Sequence, residues 1–126
     1  IGLRAIDKLD EYSNKRRINF HHYRHKIKNN ILKLKENQND FVSSFAIPIL
    51  NSNRNKIAKD LQDNNIEVRP LIAGNMATKP MWYNENEIPS LPNCELVDKI
   101  GFYVPNHQDL TEDEIILITN IINKYE

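Results

Sequence analysis

The sequence predicts a two-layer α/β (α+β) domain, with about three short strands, helices stacked on a single face, and a long helix in front. Three observations predict it. Apolar residues recur in steps of three and four through several segments, which is a helical period. Short β-branched and aromatic runs lie between those segments, bounded by Asn, Pro and Gly. The length, 126 residues, suits one domain, and a chain of this size buries roughly two-thirds of its unfolded surface.

The first element is a helix over residues 1–36. Ile6, Leu9, Phe20, Tyr23, Ile27, Ile31 and Leu34 fall along one stripe, and no proline interrupts them. Between Leu9 and Phe20 the stripe thins to Tyr12, Ser13 and Arg16, which marks a bend or a change of burial. Some 35 helical residues would span about 50 Å, more than so small a domain covers, so part of the helix is expected to reach another body. The polar segment Lys35-Glu36-Asn37-Gln38-Asn39-Asp40 ends it.

A strand follows over residues 41–50, with Phe45, Ile47 and Ile49 on one face. Pro48 lacks an N–H, so this is an edge strand or the proline sits where the N–H would face outward. Ser52 or Asn53 caps the next helix, which turns Ile57, Ala58 and Leu61 inward; Asn64-Asn65 stops it in the left-handed region. Ile66 to Arg69 is a short second strand, ended by Pro70. Residues 71–92 read as a loop with one helical turn, punctuated by Gly74-Asn75, Pro80, Pro89 and Pro92 and carrying Met76, Met81, Trp82 and Tyr83. An ordered loop of this length in a small domain points to function or an interface. Asn93 caps a helix closed by Gly101, Phe102-Tyr103-Val104 is the third strand, and Thr111 with Glu114 forms a capping box for a last helix with Ile115, Ile118, Ile121 and Ile122 along one side.

Composition narrows the function. Lys+Arg and Asp+Glu balance at 17 each, which argues against a dedicated nucleic-acid binder. No stretch approaches the ~18 apolar residues of a membrane span. The single cysteine, Cys94, cannot build a disulfide framework or a cysteine zinc site and allows a reducing compartment. The start at Ile1-Gly2-Leu3, directly in a helical pattern without Met or a leader, is expected of a piece of a longer protein.

Residues with chemical potential are few. Lys15 to Lys35 holds eight lysines and arginines, three histidines and no acid, either a phosphate-binding face or the solvated side of a helix; the neutral chain favours the second. His21 and His25, four apart, reach one metal ion only as an incomplete pair. His107 follows a strand, where sites gather in α/β folds. The glycines are Gly2, Gly74 and Gly101, so there is no glycine-rich phosphate loop. The residues alone describe an α/β domain without its own active site.

Ile66-Glu67-Val68-Arg69-Pro70-Leu71-Ile72-Ala73-Gly74-Asn75, followed by Lys79-Pro80-Met81-Trp82-Tyr83, resembles the C-terminal domain of the DegT/DnrJ/EryC1/StrS sugar aminotransferases and dehydratases. Other blocks agree in order: Gly2-Leu3 to Leu9-Asp10 with Lys15-Arg16-Arg17, Arg54 to Leu61, Leu91 to Leu96, and Gly101 to His107 with Leu110-Thr111-Glu112. The resemblance covers nearly all of the chain. It implies the small C-terminal domain (residues 1–126, with 1–36 as linking helix and 41–126 as α/β sandwich) of a pyridoxal-phosphate enzyme of the aspartate-aminotransferase fold. The large domain that binds pyridoxal or pyridoxamine 5'-phosphate would be separate from this chain. It also implies a cytoplasmic homodimer that makes deoxy- and aminosugars for surface polysaccharides from nucleotide-linked 4-keto-6-deoxyhexoses.

Ala73-Gly74-Asn75 is similar to the 3-dehydratase branch, in which a histidine replaces the cofactor lysine of the aminotransferases. That residue lies in the large domain, so transamination and 3-dehydration both stay open. Pro105 before Asn106-His107 departs from the dehydratase pattern, which has glycine. Three residues are expected at the substrate: Arg69, whose guanidinium suits a diphosphate or a sugar oxygen; Asn75, with amide donors beside a glycine; and His107 at a strand end. No catalytic, cofactor-binding or metal-binding residue is expected in this chain, and no nucleic acid or membrane as partner. Alone it should be inactive. Rival readings are a nucleic-acid-binding module built on the basic helix and a structural dimerisation module.

Overall fold

The computed structural model describes residues 2, 6–28, 36–82 and 89–125. The expected Ile31, Leu34 and Tyr83 lie outside the described residues. The order of elements is the one the sequence predicts: α1 (Leu9–Lys26), β1 (Ala46–Leu50), α2 (Arg54–Asp63), β2 (Arg69–Pro70), a 3-10 turn (Met76–Thr78), α3 (Pro92–Ile100), β3 (Gly101–Pro105) and α4 (Glu112–Asn123).

The sheet is antiparallel with β3 in the middle, in the order β1-β3-β2. Pro48 stands on an edge strand, as its missing donor allows, opposite Tyr103. Alternation sends Ile47, Ile49, Phe102 and Val104 to one face, where all are buried. Three helices cover that face, through Phe20 and Tyr23 of α1, Ile57 and Leu61 of α2, and Ile115, Ile118, Ile121 and Ile122 of α4. Each such side chain contributes roughly 1.5–3 kcal/mol by leaving water.

The helix expected over residues 1–36 is shorter. Gly2 and Ile6 are helical, a turn at Asp7-Lys8 interrupts the run, and residues 29–35 of the expected span lie outside the described residues. The helix α1 stops at Lys26, where Ile27 becomes extended (φ −86°, ψ 119°). No proline is needed to stop it. The Asn123 side-chain amide donates to the Lys26 carbonyl at 2.9 Å, satisfying a group the helix end leaves open, and the extended Ile27 drops its side chain into the core. Eighteen residues span about 27 Å. The apolar stripe also divides: Phe20, Tyr23 and Ile27 are buried, whereas Ile6 and Leu9 are exposed.

Other boundaries shift for local reasons. The first strand starts at Ala46, so Phe45 is not on the core face; it leaves the sheet and sets its ring edge-on to Tyr103. Of the second strand only Arg69 and Pro70 pair with β3, while Ile66 and Val68 pack against the core from a loop. Asn53 is the N-cap of α2, as expected, but makes no side-chain capping bond; Asn51 braces the entry instead, its Oδ1 accepting from the Asn53 N–H at 2.7 Å and its carbonyl from the Arg54 N–H. Leu91 and Pro92, not Asn93, open α3, because proline fits the first helical position. Gly101 closes α3 in extended conformation, and a Cβ there would collide with the Leu71 side chain and the Val97 carbonyl. Asn65 is left-handed (φ 60°) and the Thr111–Glu114 capping box is complete, both as expected.

Candidate functional site

The helices leave the second face of the sheet open. Phe45, Ala46, Pro48, Leu71, Ile72 and Tyr103 line a groove of 330 Å³ on it, joined through Phe45, Ala46 and Tyr103 to a second groove of 230 Å³ that adds Glu67, Arg69 and Pro105. Ile72, Phe45, Met81 and Trp82 are 74%, 66%, 80% and 65% exposed. A surface rich in such side chains is characteristic of a docking or ligand-binding face.

Arg69 reaches this face because β2 pairs it directly with Tyr103. Its Nε and Nη2 both donate to Glu67 Oε1, at 2.6 and 2.5 Å. That carboxylate, and then the Tyr103 phenol, hold the guanidinium pKa above its ordinary value. Asn75 lies elsewhere and is buried. Its Oδ1 accepts from the Ala77 N–H at 3.1 Å and its carbonyl from Thr78, capping the 3-10 turn, while its Nδ2 has no partner among the described residues. His107 is fixed through its backbone, whose carbonyl accepts from Asn19 Nδ2 at 2.9 Å, and its exposed ring lies 3.3 Å from Asp109. The structure therefore does not bring the three together: Arg69 lines the open-face groove, and neither Asn75 nor His107 does.

The turn before Asn75 is tightly determined. Ala73 and Gly74 both have positive φ (62° and 58°). A Cβ on Gly74 would run into the Asp98 carboxylate of α3. Only glycine takes this conformation cheaply, so the turn packs against α3 at the cost of strain at Ala73. The other end of the face is anchored by α1. Tyr23 donates its hydroxyl to the Pro105 carbonyl at 3.1 Å, and buried Asn106 donates to the carbonyls of Arg16 and Ser44.

Sequence reasoning did not single out Glu67, Phe45 or Tyr103 for this face. One signal was available: residues two apart in extended chain share a side, which pairs Glu67 with Arg69. The basic run is largely engaged within the fold. Arg17 pairs with Glu36 at 2.9 Å and covers the Phe41 ring, Arg16 donates to Ser43, Arg24 covers Phe20, and Lys26 lies 3.9 Å from Glu112. Among the described residues no three His, Cys, Asp or Glu side chains cluster to hold a metal, and no helix is long and apolar enough to cross a membrane.

Against known families, the model of the DegT/DnrJ/EryC1/StrS aminotransferase family matches residues 1–123. The chain belongs to this family. No curated protein matches it. Among solved structures it is similar to the Escherichia coli GDP-4-keto-6-deoxy-D-mannose-3-dehydratase with bound hydrated PLP (25% identity, TM-score 0.79, covering 95% of this chain and 33% of that one). It is also similar to the sugar aminotransferase CalS13 of Micromonospora echinospora (17%, TM-score 0.83, 98% and 33%). A third is PseC of Helicobacter pylori, an aminotransferase involved in the biosynthesis of pseudoaminic acid (18%, TM-score 0.79, 98% and 35%). The chain thus has part of the aminotransferase fold and spans about a third of the length of these DegT/DnrJ/EryC1/StrS structures.

The residues of the open face do not make a pyridoxal-phosphate site. Such a site needs an amine or its substitute at the cofactor carbonyl and an anion cradle for the phosphate. Among the described residues no lysine or histidine lines either groove, and the guanidinium there is already paired with a carboxylate.

Proposed function

We propose that this chain is the C-terminal small domain of a pyridoxal- or pyridoxamine-phosphate-dependent nucleotide-sugar aminotransferase or 3-dehydratase. The open apolar face of its sheet closes against the protein's own N-terminal large domain, which holds the cofactor and supplies the carbanion-stabilising chemistry. The observation that carries the reading is that face, set in a family member one-third the length of its structural relatives. A free domain would cover such a surface; a domain that shuts over a nucleotide-linked 4-keto-6-deoxyhexose needs it.

This chain's residues then bind and enclose. Arg69 presents donors to the substrate at the rim of the groove. Asn75 holds the shape of the 71–78 segment through its cap, and its buried, unpaired amide reaches a sugar hydroxyl only when that segment shifts on closure. His107 stands at the exit of β3 with its ring exposed, able to take a substrate oxygen outside the groove. The aromatic and apolar side chains exclude water on closure, which strengthens each polar contact inside. A cytoplasmic homodimer that builds surface sugars is the setting that fits. Of the two reactions, 3-dehydration is supported by the higher identity to the dehydratase, 25% against 17 and 18% for the aminotransferases.

The test is expression of this chain with its upstream reading frame, followed by mass spectrometry of a GDP-4-keto-6-deoxyhexose incubated with it, pyridoxal phosphate and glutamate. Loss of the C3 oxygen identifies a dehydratase and gain of a C4 amine an aminotransferase. An unchanged sugar counts against the reading. Salt-dependent RNA binding by the chain would favour the nucleic-acid module instead.

A further inference from the structure

The Glu67–Arg69 pair changes what the groove beside β2 can accept. Both donors that Arg69 turns to Glu67 converge on one oxygen, Oε1. The pair is therefore neutral as a unit, and its outward edge offers Glu67 Oε2 as acceptor and the remaining guanidinium hydrogens as donors. A hydroxyl both donates and accepts, so neighbouring hydroxyls of a sugar ring satisfy the two halves together. A diphosphate only accepts, and its charge would meet the Glu67 carboxylate at nearly the distance of the arginine, so the attraction is largely cancelled.

The floor of the groove agrees with the edge. The rings of Phe45 and Tyr103 meet at 5.9 Å and 72°, giving an aromatic wall for the C–H face of a pyranose, with Ala46 and Pro105 beside it. The joined grooves of 230 and 330 Å³ lie within the usual range for small-ligand sites. We propose, resting on the function proposed above, that Phe45, Tyr103 and the Glu67–Arg69 pair receive the neutral hydroxylated hexose ring of the substrate and not its diphosphate. Glu67 then sets specificity by removing the net positive charge an anion would seek.

The experiment is a ¹⁵N NMR titration of the chain with a methyl hexopyranoside and, separately, with inorganic diphosphate, in the wild type and in Glu67→Gln. The hexoside is expected to shift the amides of Phe45, Ala46, Arg69 and Tyr103, and diphosphate to leave them in place. Glu67→Gln should reverse the preference, with about tenfold stronger diphosphate binding and about tenfold weaker hexoside binding. Phe45→Ala, a change at an exposed ring, should weaken the hexoside alone. Diphosphate shifting these amides in the wild type, a hexoside that shifts none of them, or an unchanged preference in Glu67→Gln would each overturn the assignment. If the longer polypeptide converts the keto-sugar while the groove prefers diphosphate, this inference alone fails. If the groove behaves as described and the keto-sugar stays intact, the enzyme reading fails.

Discussion

Thr111 shows how much a single residue can announce. Its hydroxyl accepts from the Glu114 N–H, and the Glu114 carboxylate accepts from the Thr111 N–H at 2.7 Å, so two helix-end donors are satisfied reciprocally. Thr111→Ala should destabilise the chain by about 1 kcal/mol, read from chemical denaturation. The Thr111 N–H, and after it the Thr111 hydroxyl, both donate to the Glu114 carboxylate and hold its pKa below the ordinary 4.5. The contribution is therefore fully present above pH 4.5 and is lost as pH falls through the depressed folded value; in Thr111→Ala the backbone N–H still holds the carboxylate, so the acid sensitivity should shrink by the hydroxyl's share and not vanish. The box was legible because it lies within four residues. Asn75 was legible only as a residue next to glycine: that its Oδ1 caps a 3-10 turn depends on the strained Ala73-Gly74 turn, which no local pattern announces. Gly74→Ala should cost about 1–2 kcal/mol, from positive φ and the displaced Asp98 carboxylate.

At the scale of elements, periodicity located every described helix and strand but not their ends. The first helix stops at Lys26 because Asn123, 97 residues away, takes its carbonyl, and β3 is tied to α1 by Tyr23, Asn19 and Asn106. Such side-chain to backbone bonds leave no trace in spacing. Burial raises the Tyr23 pKa, since the phenolate would lose its hydration. Tyr23→Phe should lower stability by about 1–2 kcal/mol, because the Pro105 carbonyl is left unpaired, and lower the melting temperature by roughly 5 °C. The second strand was overestimated for a related reason: Ile66 and Val68 are apolar because they pack on the core from a loop, which mimics strand alternation.

For the whole molecule, what matters is the asymmetry of the sheet. One face is sealed by three helices, and the other shows Phe45, Ile72, Pro48 and Tyr103 to solvent. Composition gave no hint of this, because an apolar residue on an open face counts the same as one facing the core. Replacing exposed Ile72 and Met81 with serine should move the stability of the chain by no more than about 0.5 kcal/mol. In the longer polypeptide the same changes should lower kcat/KM for the keto-sugar, since closure would be weakened. The most direct test of the account is whether the polypeptide extended upstream through the proposed large domain converts a GDP-4-keto-6-deoxyhexose, followed by mass, with this chain alone as control. The account predicts conversion by the extended polypeptide and none by the chain; conversion by the chain alone, or by neither, would contradict it.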